Sequence, residues 1–184
     1  ITGETFSAAE PHTISPASQK VLYPRYDLEA AKRVMDRGAI ALRPPGIWRY
    51  FEVMPVLDEA NVVTLGEGGT PMLRALRLEA HTGARRLLIK DEGLNPTASF
   101  KARGLSVAVS KAKELGLTRL TMPSAGNAAG AMSAYAARAG LEAYVFIPAD
   151  LERVKVVGAA IYGPTIVAVD GNCDQVNRLC SEVA

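Results

Sequence analysis

Lys101 is the side chain in this sequence best placed for covalent chemistry. It ends the segment Lys90-Asp91-Glu92-Gly93-Leu94-Asn95-Pro96-Thr97-Ala98-Ser99-Phe100-Lys101. The apolar run Leu87-Leu88-Ile89 leads into that polar turn, and the turn opens a helix that carries Lys101 in its first turn. The positive end of a helix dipole disfavours a cation. A lysine held there, partly dry, is expected to have a lowered pKa. Only a neutral amine attacks an aldehyde, so the pattern points to a Schiff-base lysine. The competing reading is a solvated surface charge, as most lysines are.

Two other segments have the residue types for binding. Pro123-Ser124-Ala125-Gly126-Asn127-Ala128-Ala129-Gly130 places small residues between a strand and a helix. Such a turn lets an anion, for example a substrate carboxylate, reach the free backbone N–H groups at the helix start. The Asn127 amide can donate to a phenolate-like oxygen or accept from an amine. The alternative is a tight turn with an asparagine N-cap. Leu65-Gly66-Glu67-Gly68-Gly69-Thr70-Pro71 is glycine-rich, and such loops can cradle phosphate. It lacks a Lys-Ser continuation, so the favoured reading is a structural turn feeding an extended segment.

The elements that must position these groups follow a regular pattern from Leu87 onward. The strand-like run at 87–89 precedes a helix over about 100–115, stopped by Gly116. Strands are expected at Arg119–Met122, Ala143–Ile147 and Thr165–Val169. Helices are expected at Ala128–Ala139, ended by Gly140, at about Leu151–Ala159, and at Asp174–Val183. Short apolar strands separated by helices predict an α/β fold with parallel sheets and helices on both faces. In such folds ligands bind at the carboxyl ends of strands, where the turns at 91–101 and 123–127 both fall. Upstream, residues 1–25 are polar and proline-bearing and predict an irregular arm. Tyr26–Met35 predicts a short helix with Asp27 as N-cap and Gly38 as its stop. Arg43-Pro44-Pro45-Gly46 predicts a turn, and Trp48–Phe51 an aromatic cluster used for core packing.

Composition narrows the functional classes. The chain has 184 residues, 48% hydrophobic and 22% charged, with net charge +2. That is a globular balance with enough apolar material for a core. No basic block with interleaved aromatics supports nucleic-acid binding. No apolar run nears the ~20 residues that span a bilayer, and the first residues lack a secretory pattern. Cys173 and Cys180 fall on one predicted helix, about 10 Å apart along its axis, too far for a disulfide. Reduced thiols and a cytoplasmic location are the expectation. His12 and His81 are the only histidines, so no Cys/His zinc cluster or Ser-His-Asp set is nominated. An initial Ile, and a final helix with no cap or return strand, predict residues missing at both ends of a larger protein.

Taken together, Gly66-Glu-Gly-Gly-Thr-Pro71, the Lys90–Lys101 segment and Ser124-Ala-Gly-Asn127 resemble the threonine synthases, within the fold-type II pyridoxal-phosphate family. The resemblance runs from about Tyr26 to the last residue. It implies pyridoxal 5'-phosphate as cofactor, with Lys101 as the Schiff-base lysine and Phe100 lining the cofactor pocket. Asn127 matches the asparagine that hydrogen-bonds the ring's 3'-oxygen, and Ser124, Ala125 and Gly126 match the loop around the substrate carboxylate. The implied reaction converts O-phosphohomoserine and water to threonine and phosphate. Threonine dehydratase or cysteate synthase chemistry, an inactive fragment, or a domain kept for interaction are the alternatives. The implied organisation is an arm and helix (1–60), the first part of a larger cofactor domain (61–108) and an incomplete smaller α/β domain (109–184). The C-terminal half, with the family's phosphate loop and the group facing the pyridine nitrogen, is expected to be absent. Family analogy also implies a small amino-acid substrate and a homodimer. Two features depart from the pattern: Ala98 stands where glycine is usual, and no cysteine precedes Cys173.

Overall fold

Aspartates start the first two helices. In the computed structural model, which describes residues 3–124 and 126–184, Asp27 accepts the Ala30 N–H at 2.8 Å. It thereby caps α1 (Leu28–Val34), as expected. Gly38 is not the stop of that helix. Asp36 accepts the Ala39 N–H at 2.7 Å and starts α2 (Arg37–Leu42), with Gly38 inside it. Gly38 is outside the left-handed region that a C-terminal stop uses. The aromatic stretch forms a 3-10 segment, Ile47–Val53, and a second short 3-10 turn spans Glu59–Asn61.

The next strands correct one expectation. β1 (Met72–Arg74) and β2 (Leu88–Lys90) form a two-stranded antiparallel ribbon, so the run at 87–89 lies outside the parallel sheet. Between them, α3 (Leu76–Thr82) ends at Gly83 with φ +73°, which turns the chain back. Glu79 on α3 closes the ribbon. Its buried carboxylate takes two hydrogen bonds from Arg74 at 3.0 Å and one from the Leu87 N–H at 2.9 Å.

The remaining elements follow the predicted alternation. α4 (Lys101–Glu114) is followed by Gly116 at φ +74°. β3 (Arg119–Pro123), β4 (Glu142–Pro148) and β5 (Thr165–Val169) form a parallel sheet in that order. Thr121 lies opposite Tyr144, and Val145 opposite Ile166. α5 (Asn127–Ala139) and α6 (Arg153–Ala160) make the crossovers, and α7 (Cys173–Val183) follows β5. Alternation along β4 sends side chains to opposite faces. Val145 and Ile147 pack with Ala129, Met132 and Ala136 of α5 and Ala159 of α6. Phe146 packs with Val176 and Cys180 of α7. Helices therefore cover both faces of the sheet. Cys173 is exposed and Cys180 buried, both unpaired. Among the described residues, no helix is long and apolar enough to cross a membrane.

α4 packs on α5 through small residues. Ala102 and Ser106 of α4 are fully buried, which allows close helix approach. Ala102 and Val109 of α4 join Tyr135 of α5 and Val63 in one apolar cluster. The helix opened by Lys101 and the helix opened by Asn127 are thus one packed pair.

Candidate cofactor site

Lys101 is the first residue of α4. Its backbone N–H donates to Ser99 Oγ at 3.3 Å, which satisfies one of the free donors of the helix start. The side chain is half-buried, and Nζ lies 4.8 Å from the centre of the exposed Phe100 ring. Among the described residues Lys101 makes no ion pair, so its amine is not committed to a carboxylate. The turn before it is strained at one place: Ala98 has φ +54°, the left-handed region that favours glycine.

Asn127 is the first residue of α5, and Gly126 occupies the N-cap position with no side-chain cap. The asparagine-cap alternative is therefore not what the fold uses. Asn127 is exposed, and among the described residues its amide has no hydrogen-bond partner. Ser124 is half-buried, and its Oγ accepts the Gly126 N–H at 3.4 Å. Ala125 lies outside the described residues. Ser124, Gly126 and Asn127 thus sit together at the start of α5. Lys101 and Phe100 sit together at the start of α4, and helix packing rather than side-chain contact links the two groups.

The loop at 66–71 is stitched to the turn before α4, which sequence reasoning did not anticipate. Glu92 pairs with Arg103 through two hydrogen bonds, 2.6 Å from Nε and 2.7 Å from an Nη. Thr70 Oγ1 donates to Glu92 at 2.6 Å and accepts from Arg103 at 3.1 Å. Asn95 Nδ2 donates to Glu92, and Asn95 Oδ1 accepts the Gly68 N–H at 3.0 Å. The hydrogen bonds from Arg103, then from Thr70, hold the Glu92 carboxyl at a pKa of about 2. Lys90 Nζ donates to the Thr70 carbonyl. Gly68 (φ +95°) has no room for a side chain: a Cβ there would lie 2.8 Å from the Ile47 nitrogen. The segment is a structural turn feeding β1, as expected, and it also clamps the base of α4.

Glu67 is the other group missed from sequence. It is 1% exposed. Its carboxylate accepts from Trp48 Nε1 at 2.9 Å, Ser106 Oγ at 2.5 Å and Tyr135 Oη at 2.6 Å. Thr64 Oγ1 and the Leu65 N–H complete the set at 3.1 and 3.0 Å. Burial pushes this carboxyl up, but the bonds from Ser106, Tyr135 and the backbone outweigh it and hold it below the usual range. Burial, then the bond to Glu67, pushes the Tyr135 phenol up. Trp48 is therefore a hydrogen-bond donor in this group, and the aromatic stretch does not pack in the core as expected: Trp48 and Phe51 are half-buried and Tyr50 is exposed. The one sequence signal for Glu67 was a charged residue between glycines in a segment that leads into the core.

Comparison with known proteins gives this geometry its context. Residues 63–184 match the family model described as "Pyridoxal-phosphate dependent enzyme". The chain belongs to that family. The family's cofactor is pyridoxal phosphate. Among curated relatives, the threonine synthase of Methanocaldococcus jannaschii is 39% identical over 160 residues, 86% of this chain and 40% of the relative. That of Synechocystis sp. is 46% identical over 127 residues, 68% of this chain and 33% of the relative. The chain therefore spans well under half the length of these curated relatives. Among solved structures, a pyridoxal 5'-phosphate-dependent aspartate racemase gives a TM-score of 0.58 at 29% identity, covering 62% of this chain and 36% of the racemase. A threonine deaminase from T.th. gives 0.51 at 32% identity, covering 62% of this chain and 35% of the deaminase. These neighbours are fold-type II enzymes, and the resemblance read from the three segments stands.

The residues present fit the cofactor of the pyridoxal-phosphate family. A primary amine with no ion-pair partner among the described residues opens one helix, and an amide released from capping opens its packed neighbour.

Proposed function

We propose that this chain carries the Schiff-base lysine and the carboxylate-binding turn of a threonine synthase, a pyridoxal-phosphate-dependent carbon–oxygen lyase acting on phosphate. The reaction is γ-elimination of phosphate from O-phosphohomoserine followed by β-addition of water, giving threonine. The observation that carries this reading is the 39% identity to a threonine synthase over 86% of the chain, a span too long to leave out residues 66–127. When bound, pyridoxal phosphate supplies the electron sink.

The chain's own residues take the following roles in this reading. Lys101 Nζ would hold the cofactor aldehyde and, once displaced by the substrate amine, would move protons on and off the substrate carbon skeleton. Asn127 would donate its amide to the ring's 3'-oxygen. The N–H groups of the Ser124–Gly126 turn, at the positive end of α5, hold the substrate carboxylate. Phe100 gives the cofactor an apolar wall. Residues 61–108 belong with the larger cofactor domain and 109–184 with the smaller one. Assembly is as a homodimer, and the two unpaired cysteines suit a reducing cytoplasm.

A second reading has one observation behind it, the 32% identity to a solved threonine deaminase. Supplying the protein with pyridoxal phosphate and either O-phosphohomoserine or threonine separates the two. The first reading predicts phosphate release with threonine formation, both abolished in Lys101→Ala. Ammonia release from threonine, with no phosphate from O-phosphohomoserine, transfers the assignment to the deaminase. No turnover of either, with no cofactor retained, leaves the inactive-fragment and interaction-module readings, the first favoured if a longer form of the protein is active.

A further inference from the structure

Glu67 takes part in none of the chemistry above, yet it is the most completely buried carboxylate among the described residues. Burying a charge costs several kcal/mol unless its lone pairs are satisfied, and well-packed apolar residues often serve stability as well or better. Here every donor is a neutral group, and the donors come from different elements. Ser106 lies on α4, Tyr135 on α5 and Trp48 on the 3-10 segment before the loop. One carboxylate oxygen takes the α4 hydroxyl and the other takes the α5 phenol, at 2.5 and 2.6 Å. Hydrogen bonds this short weaken steeply with displacement. A slide of α4 along α5 by about 1 Å would therefore break one of the two.

We propose that Glu67 is a positioning residue whose carboxylate fixes the seating of α4 on α5, and with it the separation of Lys101 from Asn127. Ser106 is five residues beyond Lys101, roughly 7.5 Å along α4, and Tyr135 eight beyond Asn127, roughly 12 Å along α5. Helices are stiff over such lengths, so the seating at Glu67 reaches both helix starts. The meaning of that separation rests on the functional reading above, while the seating itself does not.

The test has two arms. In the cofactor-free protein, amide hydrogen exchange is compared between wild type and Glu67→Gln over 99–110, 127–136 and the strands 142–148 and 165–169. The amide keeps the shape of the carboxylate but turns one acceptor into a donor that faces donors. Roughly tenfold faster exchange in both helix segments, with the strands unchanged, is the expected result. No change in the helices, or equal acceleration everywhere, overturns the proposal, the second outcome marking a residue that serves global stability only. If Glu67→Gln does not fold, Tyr135→Phe removes a single donor and is read on the same segments.

The second arm measures pyridoxal-phosphate affinity in wild type, Glu67→Gln, Asn127→Ala and the double variant. Positioning predicts that Glu67→Gln weakens binding roughly tenfold alone and adds little once Asn127 is gone. Fully multiplicative losses contradict it. If the wild-type chain retains no cofactor, the functional reading fails, and the exchange arm still decides the seating.

Discussion

Glu92 shows how a single side chain holds the approach to Lys101. Its carboxylate receives Arg103, Thr70 and Asn95, which joins the glycine-rich loop, the turn at 91–100 and the first turn of α4. Its pKa of about 2 in the fold lies below the ordinary 4.5. The stability it contributes is therefore complete above about pH 4.5 and is lost as the pH falls toward 2. Glu52, paired with Arg43 and also held at about 2, acts over the same window. Glu92→Gln should lower unfolding stability at pH 7 by about 1–3 kcal/mol. Denaturant unfolding should show that difference shrinking toward zero near pH 2. A difference independent of pH would mean that the charge of Glu92 is not what matters. At this scale the sequence was uneven. Lys101 and Asn127 could be singled out because helix starts confer chemistry on the residues there. Glu92, Arg103 and Glu67 could not, because the pairings that tie them to other elements, Glu92 with Arg103 and Glu67 with Tyr135, span 11 and 68 residues and spacing carries no trace of them.

Elements were more legible than contacts. The run from α4 to α7 followed from apolar stretches, Gly116 and Gly140, and the strand–helix alternation. A strand at 87–89 and an extended segment after the glycine-rich loop were legible, but the antiparallel pairing of β1 with β2 was not, because three-residue strands leave no periodicity that names a partner. The restart at α2 was hidden because Asp36 and Gly38 give opposite signals two residues apart. The turn that feeds α4 carries a testable consequence. Ala98 sits at φ +54° and is exposed, so its Cβ meets a backbone conformation that glycine adopts freely. Ala98→Gly should raise stability by about 0.5–1 kcal/mol, the steric relief outweighing the added freedom of the unfolded chain. Thermal or urea unfolding reads this directly. A loss of stability would mean that the turn gains more from alanine's restricted backbone than it loses to strain.

At the scale of the molecule, three apolar clusters among the described residues divide the work. Two link α4, α5 and the sheet, and the third seats α7 on the opposite face. The two helix starts that carry the amine and the amide are held by the first two. The turn before α4 is held by buried or half-buried polar groups rather than by apolar packing. This arrangement suits a site whose reactive groups must stay accessible while their scaffold stays still. The ribbon of β1 and β2 presents Met72, Leu73, Leu88 and Ile89 to solvent, and the chain spans 40% of its Methanocaldococcus jannaschii relative. The central proposal for this chain is Lys101 as the point of covalent attachment. Borohydride reduction in the presence of pyridoxal phosphate, followed by peptide mapping, tests it most directly. The predicted result is a pyridoxyl group on Lys101 alone, absent from Lys101→Ala. Label on Lys90, Lys111 or Lys113 instead, or cofactor trapped equally well by the alanine variant, would contradict it.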